Sequence, residues 1–559
     1  MPIIDRGLPL DKLRKERNRS SKVLVLAMIL IAVLILAAIA GLIGQIGNSK
    51  ERLPSGTPVR TPARIAYTTH SPISIIGNAG FTNASGIVWG SGTELDPYII
   101  EGWDISASTA NGIEIRNTDA HFIVRACSVY DGIWNYYGIH LDVCVNGTLE
   151  SNNCSSNLYG MYLSSSSGNT LSNNTCSSNN VYEILLESSN GNALSNNTCT
   201  HYQGGGDGIE ILSSNNNTLC NNNCWRNFRG IYLRSSSNNT LIKNTCSSNG
   251  VGIFLDFSSD KNILSDNNCS QSSYGISVWS SSKNALSNNN CSYCNRGIYL
   301  KSSSSDNTID NNTCSNSGYG MFIDLSSNNT LRNNICNSND WDGVWLPQSN
   351  NNTLCNNTCS ANNQYGICLS WSYGCTLSNN NCSNNWDGIA LDESNNNTMS
   401  SNICSSNIAR GMCLFSSSDN ALSNNTCSFN NEYGISILAK SSLQSSNNRV
   451  WNNTFYHNNG AGDTYDSAHV QAFDSETGNW WNNTDGHGNY WSDWTSPDSD
   501  MNGVVDSPYV LDGTAGAQDY YPLTTSQTLI PEFGMMPLIM MVFVMAIVLT
   551  IGARRRKTE

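Results

Sequence analysis

The sequence predicts an all-β fold: a right-handed parallel β-helix, built as a solenoid of 22–23-residue coils and flanked by terminal transmembrane helices. Three observations predict it. Thirteen cysteines from Cys154 to Cys427 recur at steps of 22 or 23 residues, with one step of 25. A glycine keeps the same period through Gly160, Gly208, Gly230, Gly252 and Gly275 to Gly434, with Glu183 in its one vacancy. After each glycine comes the pattern I-x-L, as in Gly230-Ile231-Tyr232-Leu233. A fixed period of this length means one supersecondary unit stacked on itself.

The I-x-L triplet has period two, the signature of a strand with one buried face. A second short strand is carried by T-L, as in Thr240-Leu241 and Thr330-Leu331. Asn-Asn and Ser-Ser-Asn stretches separate the strands, and Asn tolerates left-handed backbone and bonds its own main chain, so these are turns. Two or three strands with tight corners fill the period and leave no room for a crossover helix. Coils stacked at about 4.8 Å would give a rod about 70 Å long, and right-handed winding is the default for parallel crossovers. Only 13% of residues are charged, well under the usual quarter. The strict phase of Ile, Leu, Cys and Gly argues against disorder, which has no buried face to keep in register.

The ends are different. Residues 23–44 are continuously apolar and follow Lys12, Arg14, Lys15, Arg17, Arg19 and Lys22. That length spans a bilayer, and the basic cluster keeps the N-terminus inside. A signal anchor is the first reading, with a long cleaved signal peptide as the alternative. A second apolar run, 535–553, precedes Arg554, Arg555, Arg556 and Lys557, which again belong inside. Everything between about 45 and 530 therefore faces outward. The net charge is −14; residues 1–22 carry +4 and 553–559 carry +3, so the stretch between them carries −21. Nucleic acid is excluded as a partner by that charge.

Ile530-Pro531-Glu532-Phe533-Gly534, followed by an apolar segment and Arg-Arg-Arg-Lys, resembles the PEF-type sorting signal of archaeal surface proteins. The resemblance implies that an archaeosortase, an intramembrane cysteine transpeptidase, cuts near Pro531-Glu532-Phe533 and that the mature chain carries a lipid anchor. Residues 73–104, with Gly90-Ser91-Gly92-Thr93 and Tyr98-Ile99-Ile100-Glu101-Gly102-Trp103-Asp104, resemble the leading segment of NosD-type β-helix proteins. Residues 478–522, with Gly488-Asn489-Tyr490-Trp491-Ser492-Asp493 and Asp519-Tyr520-Tyr521-Pro522, resemble the trailing segment. The resemblance implies the fold; the copper-site maturation for which that family is named does not carry over with it. The expected divisions are a cytoplasmic basic segment (1–22), the apolar segment (23–44), a linker (45–72), an N-terminal cap (73–111), the β-helix (112–457), a C-terminal cap (458–523), a linker with the sorting tripeptide (524–534), the second membrane segment (535–553) and a basic tail (554–559).

The chain has 21 cysteines. In-register side chains stacked at about 4.8 Å are further apart than the Cβ atoms of a disulfide. The thirteen periodic cysteines are therefore expected as a reduced, packed interior ladder of small hydrophobes. Copper, which needs thiolates within reach of solvent, is disfavoured there. Cys220, Cys294, Cys355, Cys368, Cys375 and Cys413 lie off that ladder and find no pairing from sequence.

The residue between the inward Ile and Leu should face out. That column includes Tyr232, Phe254, Tyr299, Phe322 and Trp345, with Asp256, Trp279 and Asp324 two places further on. Exposed rings beside carboxylates suit sugar faces and hydroxyls, which makes these eight residues a candidate carbohydrate-binding surface. Stacking that only stabilises the sheet is the alternative. Asp207 with Arg229, and Asp387 with Arg410, fall one coil apart and are expected as surface ion pairs. Carboxylates at the spacing of glycoside cleavage are not apparent: Asp256, Asp324 and Asp392 lie about three coils apart, about 14 Å.

Asp498, Asp500, Asn502 and Asp506 occupy positions 1, 3, 5 and 9 of a calcium-type loop with Gly503 at position 6. Position 12 is Tyr509 rather than Glu, so the loop is incomplete; oxygen ligands around a turn glycine still suit Ca²⁺. An Asp/Asn/Gly turn without metal is the alternative. N-x-S/T sequons such as Asn83, Asn146, Asn238, Asn328, Asn424 and Asn482 allow glycosylation. The sequence thus reads as a membrane-anchored cell-surface β-helix, structural, adhesive or carbohydrate-binding toward cell-envelope or extracellular glycans, leaning away from catalysis. The alternatives are a carbohydrate-active lyase, hydrolase or epimerase, and a NosD-like copper-binding accessory.

Overall fold

The structure is a computed structural model that describes residues 67–201, 205–440 and 444–526. The expected basic segment 1–22, both apolar segments 23–44 and 535–553, the sorting tripeptide Pro531-Glu532-Phe533 and the tail 554–559 lie outside the described residues. Among the described residues no helix is long and apolar enough to cross a membrane.

Coils toward either end carry three strands, and from Thr245 to Asn381 the middle one is reduced to a single parallel bridge per coil. In one coil, Thr218–Cys220 is followed by Asn223–Trp225 and Arg229–Arg234. Equivalent strands of successive coils pair in parallel, giving a leucine sheet, a cysteine sheet and a glycine sheet. Leu219 pairs with Leu241, Cys199 with Cys224, Ile231 with Ile253 and Leu233 with Leu255. All of these side chains point into the bore and are fully buried. The aligned glycines are held by close approach. A Cβ on Gly230 would lie 2.6 Å from the Gly252 carbonyl oxygen and 3.1 Å from the Cys246 Cβ, and one on Gly252 would lie 2.5 Å from the Gly275 carbonyl oxygen. At Gly230 and Gly252 no side chain fits, because the glycine and cysteine sheets meet at the backbone.

The corners contain more order than turns alone. In each Asn-Asn pair the first residue takes the left-handed conformation, as at Asn173, Asn196 and Asn221, with φ of 57, 55 and 56°. The second turns inward. The Asn222 backbone N–H donates to Asn244 Oδ1 at 2.9 Å, and Asn222 Nδ2 donates to the Leu194 carbonyl at 2.9 Å. The same bonds repeat from Asn152 to Asn489. Two further corners carry asparagine ladders and a fourth carries a serine ladder, with Ser214 N–H donating to Ser236 Oγ at 3.0 Å. These ladders satisfy corner donors that the β-sheets leave unpaired.

Four off-ladder cysteines belong to these polar corners. Backbone N–H groups of Cys127, Cys144, Cys294 and Cys375 donate to the next rung, Asn152, Ser166, Ser317 and Asn397 respectively. Glu183, standing in for the glycine, accepts from the Asn179 backbone N–H at 3.3 Å and lies 3.5 Å from His201 Nδ1. Its buried carboxylate replaces a rung where the step between coils is 25 residues, longer than the 23 before it and the 22 after it.

Both expected caps are coils themselves. Ile73–Ile76, Tyr98–Glu101 and Trp103–Ser106 pair in parallel with the three strands of the next coil, and an antiparallel strand, Ile87–Trp89, is added at the start. At the other end Ala472–Asp474 and Tyr490–Trp491 extend the glycine and cysteine sheets. The chain beyond them closes the bore. Phe455 succeeds Cys427, Trp491 stacks on Phe455 at 4.1 Å, and Tyr509 stacks on Trp491 at 4.0 Å.

Candidate ligand site

The outer face of the glycine sheet bears three side-chain columns, and the sequence reading of its middle column needs correction. Tyr232, Phe254, Tyr299 and Phe322 do point away from the bore, yet they are only 4–8% exposed. Rings from adjacent coils stack on one another, with Tyr232 and Phe254 centroids 5.1 Å apart and Tyr299 and Phe322 also 5.1 Å apart. Side chains of the flanking columns close over them: the Arg229 guanidinium lies 3.8 Å from the Tyr232 ring and that of Arg296 lies 4.6 and 4.5 Å from Tyr299 and Phe322. These four rings hold the sheet surface together, and of them only Phe254 borders an open cavity. Trp345, Trp279, Asp256 and Asp324 are half-buried.

The two expected surface ion pairs are also more enclosed than predicted. Arg229 grips Asp207 through Nε at 2.9 Å and Nη2 at 2.6 Å, and that carboxylate is 3% exposed. Arg410 lies 3.8 Å from the buried Asp387 and 3.0 Å from Glu432.

An open site appears where the middle column runs out of rings. After Trp345 the column continues as Cys368, Ala390 and Cys413, and the loss of volume leaves a cavity of about 510 Å³ over Cys368 and Ala390. Tyr319, Trp341, Trp345, Tyr365 and Phe415 form its aromatic walls, and Asp342, Asp392, Gln364 and Lys440 bring polar groups. Trp345 is fixed by its Nε1 donating to Ser370 Oγ at 3.2 Å. The rim at Lys440 exists because this coil is longer: the serine-ladder step from Ser417 to Ser445 is 28 residues. Lys440 Nζ pairs with Asp392 at 3.0 Å.

Asp342 is the chemically distinctive group. It is 4% exposed and accepts one bond, from the Tyr365 backbone N–H at 3.0 Å. Burial without a cationic partner pushes its pKa up to about 7, because desolvation penalises the charged form. Asp342 and Asp392 stand five residues apart along the strand direction and two coils apart, a separation of roughly 19 Å at strand spacings. That is far beyond the carboxylate spacing of two-carboxylate glycoside cleavage. Sequence reading weighed Asp392 but did not join it to Asp342; the small residues interrupting the ring column and the long coil after Gly434 were the signals that would have done so.

In the loop 498–506 three of the four residues read as ligands come together. Oxygen atoms of Asp498, Asp500 and Asp506 lie within 4.8 Å of one another. Backbone N–H groups of Asn502 and Gly503 donate to Asp498 at 3.1 Å, Ser499 N–H donates to Asp506, and Asn502 Nδ2 donates to Asp500 at 2.9 Å. The loop sits on the closing segment, where Thr524 N–H donates to the Gly503 carbonyl at 3.0 Å.

These features define a right-handed parallel β-helix with a ligand-sized cleft on one sheet. The profile of the family described as "Periplasmic copper-binding protein (NosD)" matches residues 73–227 and 199–341, and that described as "Right handed beta helix region" matches 337–475; together they support a NosD-type right-handed β-helix protein. Comparison with curated proteins finds no match. Among solved structures, the A-module of the Azotobacter vinelandii mannuronan C-5 epimerase AlgE4 aligns at 12% identity over 68% of this chain and 90% of its own, with TM-score 0.29. The alginate lyase AlyF-OU02 aligns at 12% identity over 60% and 86%, with TM-score 0.38, and the periplasmic alginate epimerase AlgG at 16% identity over 63% and 76%, with TM-score 0.28.

The family description implies copper. Copper sites use thiolate, thioether or imidazole groups within reach of the ion. Here the stacked thiols are fully buried, and burial pushes thiols such as Cys269, Cys291 and Cys314 upward. The three-ligand cluster found among the described residues consists of carboxylates. This donor set does not fit copper.

Proposed function

We propose that the chain is a membrane-anchored cell-surface rod that binds extracellular or cell-envelope glycans in the cleft around Trp345 and Asp342. One observation carries the reading: a cavity of about 510 Å³ walled by aromatic rings, with polar groups at Asp342, Asp392 and Gln364. Rings take the apolar faces of sugars while a few placed polar groups take their hydroxyls. The apolar segments 23–44 and 535–553 and the Pro531-Glu532-Phe533 tripeptide support anchoring and processing by an archaeosortase-like enzyme. Ca²⁺ at Asp498, Asp500, Asn502 and Asp506 is part of the same proposal, as a clamp on the closing segment. The test is glycan binding by the full-length chain in detergent. Trp345→Ala should weaken binding about tenfold or more, the order of one well-buried aromatic contact, while Trp134→Ala, a change at an exposed ring on an early coil, leaves it unchanged. Equal binding by both variants removes the cleft from the function. Release of shortened or unsaturated products from a bound polysaccharide would instead favour the carbohydrate-active enzyme reading.

A further inference from the structure

Three coils carry an aspartate immediately before the aligned glycine: Asp207, Asp342 and Asp387. All three are buried, and each accepts at Oδ1 from the backbone N–H one coil on, of Arg229 at 3.2 Å, Tyr365 at 3.0 Å and Arg410 at 2.8 Å respectively. They differ at Oδ2. Arg229 Nη2 donates to Oδ2 of Asp207 at 2.6 Å, and Arg410 Nη1 lies 3.8 Å from Oδ2 of Asp387. The residue one coil on from Asp342 is Tyr365, which brings no positive charge. Among the described residues nothing bonds to Oδ2 of Asp342, and that oxygen is open to the 510 Å³ cavity that the residue lines. Lys440 lines the same cavity but is held by Asp392 at 3.0 Å. Arg296, two coils earlier in the same column, lies over Tyr299 and Phe322.

The place that an arginine fills beside Asp207 is therefore part of the cleft beside Asp342. Rings surround it. Trp341 and Trp345 stack on Tyr319, with centroids 6.1 and 5.4 Å away and planes 15 and 22° from parallel. In the coil of Asp207 the matching guanidinium also lies over a ring, 3.8 Å from Tyr232. A cation between a carboxylate and aromatic faces is stabilised by both. A neutral ligand would leave the buried carboxylate without a counter-charge. The cavity is larger than an ammonium group needs, and Trp345 and Gln364 remain for an apolar ring face and its hydroxyls. We propose that the cleft takes an amino sugar with a free, protonated amine, whose ammonium stands where the arginine is missing and donates to Oδ2 of Asp342. The inference rests on the glycan reading above and adds the substituent that sets its preference.

The experiment measures binding of three trisaccharides to the full-length chain in detergent, by calorimetry at about pH 7, where amines of the α-amino kind carry charge. The trimer of glucosamine, chitotriose and cellotriose differ at one substituent: an ammonium, an acetamido group and a hydroxyl. Wild type should prefer the glucosamine trimer over both others by about tenfold or more, the order of one charge-assisted hydrogen bond. Asp342→Asn keeps the acceptor for Tyr365 N–H and removes the charge, and the preference should disappear. Tyr365→Arg supplies the arginine that the other two coils have, in a column that already carries Arg229 and Arg410. It should abolish the preference as well, and it decides the matter if Asp342→Asn fails to fold. Equal affinity of wild type for the three trimers, a preference for a neutral one, or a preference for the amine that survives either substitution overturns the inference. The cleft itself then stands if Trp345→Ala still weakens all three. Binding of none of them overturns both readings.

Discussion

A single buried carboxyl shows how residue and environment divide the outcome. Asp342 belongs to an otherwise ordinary Asp-Gly strand start, as Asp207 and Asp387 do, but those two each have an arginine one coil away. Asp342 has Tyr365 at that place, and only a backbone N–H to accept from. Its pKa of about 7 in the fold lies above the ordinary carboxyl value of 3.8. Between those two values the folded state binds the proton more tightly than the unfolded chain, so its stabilising contribution is complete below about pH 4 and is lost as pH rises through about 7. Asp342→Asn removes the titration and keeps an acceptor for Tyr365. It should leave the melting temperature unchanged at pH 4 and raise stability at pH 8 by a few kcal/mol, as an upper-end figure. Thermal melts across pH 4–8 check this; a variant that is destabilised equally at both ends would mean that the carboxyl is ionised and paired. The residue scale is also where the sequence was least informative. Tyr232 and Tyr299 were recognisable as outward, because strand alternation fixes direction. Their burial was not, since it depends on Arg229 and Arg296 folding over them from a neighbouring column.

At the scale of elements, the sheets were legible and the ladders were not. Leu, Cys and Ile at fixed phase announce three buried strand faces. The asparagines announced only turns, because a turn residue and a ladder residue have the same composition; the distinguishing mark is position, the second Asn of each pair. In the inward ladders each backbone N–H donates to a side-chain oxygen of the next coil, while Asn Nδ2 also reaches back to a carbonyl of the previous one, so each ladder leaves its last backbone donor at the C-terminal end. Carboxylates end those ladders. Asp519 accepts from Asn489 N–H at 2.7 Å, Trp491 Nε1 at 2.9 Å and Tyr521 N–H at 3.0 Å. Asp493 accepts from Gln471 Nε2, and Asp474 accepts from Asn479 Nδ2 at 3.2 Å and Trp481 Nε1 at 2.9 Å. These three acids were invisible as a set, because they come from different segments of the closing chain. Asp519→Ala strands several buried donors together, each costing about 1–3 kcal/mol. It should destabilise the C-terminal coils by about 3 kcal/mol or more, with Asp519→Asn milder because one acceptor oxygen remains. Hydrogen exchange resolved by segment should show the loss near 450–523 and little change near 150–250; uniform loss along the rod would count against the ladder-end role.

At the scale of the whole molecule the rod is a one-dimensional stack, in which each coil is stabilised by its neighbours and fraying starts at the ends. The C-terminal end is closed by a chain segment that meets the last coil through the Trp491–Tyr509 ring stack, the Asp519 hydrogen bonds and the bridges of Phe473 to Asp512 and Tyr490 to Leu523, with Val504 bridging Leu523 inside the segment. The loop of Asp498, Asp500 and Asp506 sits beside those bridges, with three carboxylates close enough to repel one another. A calcium ion there would cancel the repulsion and stabilise the closed end by mass action, about 2.7 kcal/mol at a hundredfold excess over its dissociation constant. Ca²⁺ should therefore raise the melting temperature by a few degrees and slow exchange at residues 490–524. Mg²⁺ should do so less, since it gives up its waters reluctantly and tolerates irregular oxygen sets poorly. Asp498→Asn with Asp500→Asn should remove the calcium response and, by relieving the repulsion, leave the metal-free protein no less stable. A melting temperature indifferent to Ca²⁺ in the unaltered chain would show that backbone N–H groups, already bonded to Asp498 and Asp506, are the only partners those carboxylates require.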